Sequence, residues 1–416
     1  MPAALDGIRV LDLCDPKGQY MGRLLANLGA DVIKIEPPRG DPGRAIGPFV
    51  DDDPHPDRSL FWWYYNAGKR SLAVDIFRSD GAAIVKRLAA SAQVVVESFA
   101  PGTMATAGLD YDALSAARDD LVMTSLTPFG QDGPHASWAW SDAVGLALGG
   151  PMAMCGYDDL PDAPPIRGTE HQAFHIGSHY GAIGTLVALL HREGTGRGQY
   201  VDASIHEACA CTIEAGLPYA LFEGQALLRQ TGRHAAAKAT EPWQYPAADG
   251  KLINVFGLPR NDADWLALVD WADENGHVGG LRDPELMDGR KRQLGVAQES
   301  VTRMLADLAK FFASKPGEEL YHGGQQRGAA WGVVRSPDET LDDPHWRDRG
   351  FFVEVEHEEL GRSITYPGPP YQLSATPWQQ ARRAPRLGEH TVAILREELG
   401  LGAEQLAALA GAGVIA

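Results

Sequence analysis

The chain has 416 residues, of which 44% are apolar and 22% charged, which allows two domains that each bury a core. The formal net charge of −18 argues against a nucleic-acid footprint, although a few cations and backbone amides can still hold the phosphates of a nucleotide ligand. No basic-then-apolar leader and no apolar run of about eighteen residues occurs, so the expectation is a soluble, cytoplasmic protein. Cys14, Cys155, Cys209 and Cys211 lack a usual zinc or redox spacing and read as free thiols.

Residues 8–13 form a β-branched and leucine-rich run that reads as a buried strand. Met21, Leu24, Leu25 and Leu28 follow at helical spacing, and Gly29 stands where a helix would end. The alternating segment 31–36 then completes a βαβ unit. The unit repeats: a helix through Leu88, a strand at 94–96, a helix at 111–118 and a strand at 121–126. Such alternation predicts an α/β fold with a parallel sheet covered on both faces. The first strand–helix turn, Cys14 to Gln19, lacks the glycine pattern of a dinucleotide-binding loop, which argues against a nicotinamide dehydrogenase.

Residues 176–191 read as an apolar helix stopped by Gly194, Gly196 and Gly198, with a strand at 200–203. From about residue 225 the texture changes, and 225–328 reads as a small α+β domain with a strand at 252–256 and helices at 264–274 and 301–314. From 329 to 416 the pattern is assigned back to the large domain, whose first part is 1–224.

Several segments together resemble the family III CoA-transferases, the superfamily of formyl-CoA transferase, carnitine-CoA transferase and α-methylacyl-CoA racemase. They are LDGIRVLDL (5–13), LGADVIKIEPP (28–38), NAGKRS (66–71), VESFAPG (96–102), TPFGQDGP (127–134), the stretch 165–208 with its TGRGQ turn, DPHWRDRGFF (343–352) and APRLGEH (384–390). The resemblance implies a large Rossmann-like domain built from both chain ends, an inserted small domain and an interlocked homodimer. It implies CoA and acyl-CoA as substrates, a carboxylic acid as the other reactant, and no tightly bound cofactor or metal. On matching positions, Lys69 with Asn66 and Arg70 beside it would face the nucleotide, and Ser98 and Phe99 would line the same groove. Arg39 and Lys17 are further phosphate-binding candidates. Thr106 and Thr127 replace basic residues of some relatives.

In the family reaction a carboxylate attacks the acyl-CoA thioester. The family aspartate lies ten residues before the glycine that matches Gly184, and that position holds Phe174. Glu170 is the nearest carboxylate upstream and the first candidate for a displaced nucleophile. His171, His175 and His179 are spaced by four and would share a face of a helix that began early enough; they read as bases, as metal ligands, or as pocket or interface residues. At the place where the racemase branch carries a His-Asp pair the chain has Ser141-Asp142. The glycine-rich covering loop of formyl-CoA transferase has no counterpart at 233–241. Three readings stand: a transferase with a displaced carboxylate; a lyase, isomerase or epimerase using His171 or His175 as base on an acyl-CoA; and a non-catalytic CoA-binding subunit partnering an intact paralogue.

Overall fold

The computed structural model describes residues 3–160, 162–214, 216–256, 258–259, 261–379 and 382–416. The chain divides into two compact units: Met1–Met152 with Ile166–Ala215 and Asp348–Ala416, and Ala153–Pro165 with Gly216–Arg347.

The first unit is built on six parallel strands in the order β3-β2-β1-β4-β5-β6. They are β1 (Arg9–Leu13), β2 (Asp31–Glu36), β3 (Arg70–Ala73), β4 (Val94–Glu97), β5 (Val122–Thr127) and β6 (Tyr200–Ser204). Every residue of β4 and β5 is buried, as expected when helices cover both faces of a parallel sheet. Helix α1 (Gln19–Asn27) packs Met21, Leu25 and Ala26 toward the sheet. It ends at Gly29, whose φ of +99° is the left-handed conformation of a helix stop. A side chain there would also strike Ala3, with Cβ only 2.0 Å from that residue's Cβ. The order of strands reverses between β1 and β4, the place where open α/β sheets present a crevice beyond the carboxyl ends of the strands.

The second helix that matters is the long one, Gln172–Thr195, which lies against α1, β5 and β6. By length and apolar composition it is the single helix among the described residues that matches a membrane span. In the fold, Ala173, Gly177, Ser178, Gly181, Ala182 and Thr185 are buried. It begins four residues earlier than its apolar pattern predicts, at 172 rather than 176. The reason is a distant carboxylate: Asp142 Oδ1 accepts from the amides of Ala173 (2.8 Å) and Phe174 (3.3 Å), which satisfies donors that the helix cannot pair itself.

The C-terminal return to this unit is a hairpin, Phe352–His357 with Arg362–Pro367, whose Val355 and Tyr366 pack on Trp62 and Trp63 of helix α2 (Leu60–Asn66). Helices Thr391–Glu397 and Ala403–Gly411 then cover the sheet, the latter not read from sequence.

The second unit holds a three-stranded antiparallel sheet, Gln244–Pro246, Leu252–Val255 and Trp331–Val333. Helices Asp262–Glu274, Gln298–Phe312 and Gly317–Gln325 enclose its own core around Trp265, Trp271, Phe311, Phe312 and Trp331. Here the structure differs from the expected boundary at 329. Trp331–Val333 hydrogen-bonds to Leu252–Val255, so that strand completes the small sheet, and the unit continues to Arg347.

Candidate active site

The carboxyl ends of β1, β2 and β3 open onto a cleft of about 1130 Å³. Asp15, Pro38, Arg39, Phe77 and Phe99 are among the residues that line it. Ser98 fastens the loop after β4 to the loop after β1: its hydroxyl donates to Asp15 Oδ1 (2.8 Å) and accepts from the Asp15 amide (2.9 Å). Lys17 forms an ion pair with Asp15 in the same loop. Arg39 is exposed on the cleft wall and makes no ion pair with a described residue. Beside this junction Glu97 is buried, and burial pushes its carboxyl up to about 7 although the Phe99 amide donates to it at 2.7 Å. Arg39 and Phe99 therefore line one cleft, with Ser98 fixing its floor and Lys17 on the adjoining loop.

The other three expected nucleotide contacts do not join them. Lys69 is 3% exposed, and its ammonium donates to Asp12 Oδ2 (2.7 Å), the Gln19 carbonyl (2.8 Å) and Asn66 Oδ1 (2.9 Å). All three of its protons are committed, so it has none for a phosphate. Burial lowers its pKa despite the Asp12 carboxylate. Asn66 is fully buried in the same cluster and donates to Gln19 Oε1. Gly22 shows how closely α1 covers this pair: a Cβ there would lie 2.1 Å from Asp12 Oδ2. Arg70 starts β3 and pairs with Asp31 and Glu398, at the amino edge of the sheet. A parallel strand of that length sets it about 10 Å from the cleft edge. These three positions correct the sequence expectation: two form a buried floor beneath α1, and one ties the opposite rim.

At the start of the long helix the position expected to carry the attacking carboxylate is a phenyl ring. Phe174 packs on the apolar layer beneath the helix and stacks with His171 at 5.6 Å. His171 precedes the helix with φ +67°, and its Nδ1 is buried without a hydrogen-bond partner among the described residues. Two carboxylates are near. Asp142 caps the helix through Oδ1, while its buried Oδ2 has no hydrogen bond and lies 3.8 Å from Arg167. Glu170 has a side chain 72% exposed and lies 3.5 Å from Arg167. The structure thus leaves Glu170 in solvent and gives the helix amides to Asp142.

His175 and His179 do share a helix face, with ring centroids 6.4 Å apart, while His171 sits just outside the helix. No group of metal-ligating side chains is found among the described residues. His175 Nε2 lies 2.5 Å from the Tyr65 hydroxyl. Burial first, then the neighbouring His179, His171 and Arg23, lower its pKa to about 4. At neutral pH it is an uncharged imidazole, and its low basicity makes it a weak proton acceptor. Sequence reasoning did not find Tyr65, nor Asp142 as the cap. Trp62 and Trp63 are core residues whose indole N–H groups donate to the carbonyls of Pro385 and Asp57.

The family model of CoA-transferase family III matches residues 5–391. The chain belongs to this family. Succinyl-CoA:(R)-benzylsuccinate CoA-transferase subunit BbsE of Thauera aromatica is 36% identical over 392 residues, covering 94% of this chain and 93% of that protein. Succinyl-CoA–D-citramalate CoA-transferase of Chloroflexus aurantiacus is 32% identical, covering 100% and 98%. A CAIB/BAIF family protein from Brucella suis superposes with a TM-score of 0.79 at 26% identity, over 96% of this chain and 100% of that one. The six-stranded parallel sheet is thus a family III scaffold. On that scaffold the chain has a cleft at its strand ends and a phenyl ring, Phe174, at the head of the long helix.

Proposed function

We propose that this chain is the CoA-binding member of a two-subunit CoA-transferase that exchanges CoA between a succinyl-CoA-type donor and a carboxylic acid, with the attacking carboxylate supplied by a paralogous partner. The single observation that carries the reading is Phe174 on the first turn of the long helix, where no oxygen nucleophile is available. The two nearby carboxylates support it: Asp142 is tied into the helix cap and Glu170 stands exposed. Relatives named as subunits point the same way, among them BbsE and the alpha and beta subunits of a succinyl-CoA–L-malate CoA-transferase. The CoA thioester enters as substrate, with its nucleotide part against Arg39 and Phe99 and its phosphates within reach of Lys17. The partnership is an interlocked pair, in which each chain is folded around the other.

The chemistry to be shared is balanced as follows. A carboxylate oxygen attacks the thioester carbonyl, the C–S bond breaks, and a mixed anhydride and CoA thiolate result. The thiolate then attacks the enzyme's acyl carbon, releases the donor acid and leaves an enzyme thioester. The acceptor acid repeats the two steps in reverse. The second reading keeps this chemistry in one chain with Glu170 as nucleophile, favoured by its position one residue before His171 and by Arg167 at 3.5 Å. The test is CoA titration and succinyl-CoA exchange with the purified chain alone and then with its paralogue added. Binding without exchange, followed by exchange on mixing, is the expected result. Full exchange by the chain alone would overturn the two-subunit reading.

A further inference from the structure

Four lysine or arginine residues are buried among the described residues: Arg23, Lys34, Arg44 and Lys69. Three have a carboxylate within ion-pair distance: Lys34 with Asp41 at 3.0 Å, Arg44 with Glu36 at 2.7 Å and Lys69 with Asp12 at 2.7 Å. Arg23 has none. It is 3% exposed, and its one hydrogen bond runs from an NH2 group to the Pro367 carbonyl at 3.3 Å. Its Nε and other terminal nitrogen are buried without a partner among the described residues. A buried cation that lacks a counter-charge is costly, and unsatisfied buried donors of this kind mark a place where an anion is missing.

The surroundings say which anion. The guanidinium lies 3.9 Å over the Tyr64 ring and 5.9 Å from that of Tyr20. Tyr20 is 4.4 Å from His175 by ring centroids, and His175 holds the Tyr65 hydroxyl. Burial raises the pKa of both Tyr20 and Tyr65, so both phenols are uncharged at neutral pH. Either the Tyr65 hydroxyl donates to Nε2 and the His175 ring proton sits on Nδ1, or Nε2–H donates to the hydroxyl and the Tyr65 proton is spare, so the neutral pair offers one further donor in either tautomer. One positive charge, flat aromatic walls and neutral donors suit one planar monoanion, not a phosphate dianion. Neither Arg23 nor His175 lines the cleft at the strand ends, so this is a separate place from the proposed nucleotide groove. His175 is the chain neighbour of Phe174 on the first turns of the long helix. Around the guanidinium, Tyr20, Tyr64 and His175 are half-buried and His179 is exposed.

We infer that Arg23, walled by Tyr20, Tyr64 and the Tyr65–His175 pair, binds the free carboxylate of a small dicarboxylic acid of succinate type. The inference rests on the proposed function for the direction of the acyl group. The experiment titrates succinamate and butyramide, neutral-ended amides of equal length that differ only in the free carboxylate, into the full-length chain, into Arg23→Gln and into Arg23→Lys, with CoA titrated in parallel. The wild-type protein is expected to prefer succinamate by about tenfold or more. The preference should vanish in Arg23→Gln and partly return in Arg23→Lys, with CoA binding unchanged. Equal binding of the two amides by the wild-type chain, or no binding of either, overturns the inference without recourse to any variant, and the guanidinium then pairs with another chain or with Tyr64 alone. A preference that survives Arg23→Gln also overturns it. Loss of CoA binding with a retained succinamate preference would instead count against the proposed function and leave the Arg23 site standing.

Discussion

Two regions of the same unit tell different stories. The strand-end cleft has on its wall an arginine with no ion pair among the described residues, an aromatic at its edge and a hydroxyl lock between the loops after β1 and β4. The head of the long helix keeps its position, its cap and its tight packing against α1, yet presents Phe174 in place of a carboxylate. Under the proposed function, the difference means that ligand binding and covalent chemistry are carried by separable parts of the scaffold. A chain can retain the first while the second passes to another subunit.

The largest expected effect comes from the lysine that belongs to neither region. Lys69→Met leaves Asp12 as an unpaired buried charge and should cost about 3–5 kcal/mol of stability in denaturant melts. A variant of normal stability with weakened CoA binding would instead put Lys69 in the cleft. Next is Arg39→Ala, which should weaken CoA binding about tenfold by titration while the melting temperature stays put. Unchanged affinity would move the phosphates elsewhere.

Asp142→Ala removes the cap of the long helix and should cost about 1–2 kcal/mol. Hydrogen exchange should quicken at Ala173 and Phe174 while the cleft is undisturbed; if exchange there does not change, the cap is not what starts the helix early. The smallest effect is a slope. Burial raises Glu97 from an ordinary 4.5 to about 7, so the folded state holds this proton more tightly than the unfolded chain does. Its contribution is fully present below about pH 4.5 and is lost as pH rises through about 7. Glu97→Gln should flatten stability across that window, and an unaltered slope would mean that Glu97 ionises normally.

Much of the first unit was legible because it is written locally. The 31–36 alternation, the helical spacing of Met21 to Leu28 and Gly29 specify a βαβ unit without help from distant residues. The early start of the long helix was not legible, because its cap comes from Asp142, 31 residues upstream. The strand at Trp331 was assigned to the wrong unit for a related reason: its partner, Leu252–Val255, is far away in sequence. At the site, the motif containing Asn66, Lys69 and Arg70 was visible, but the direction of each side chain depends on the parallel register and on α1 lying over Asp12. That register sends Lys69 beneath the helix and Arg70 to the opposite rim. Arg23 was hidden for the opposite reason. A lone arginine on an amphipathic helix reads as a solvated charge, and only burial against Tyr64 makes it conspicuous.

The most direct test of the central claim is to trap the intermediate. The chain and its paralogue together are incubated with succinyl-CoA, treated with borohydride or hydroxylamine, and mapped by peptide mass. The account predicts a modified carboxylate on the paralogue and none on this chain. A modified Glu170 or Asp142 here would contradict it and make this chain its own nucleophile.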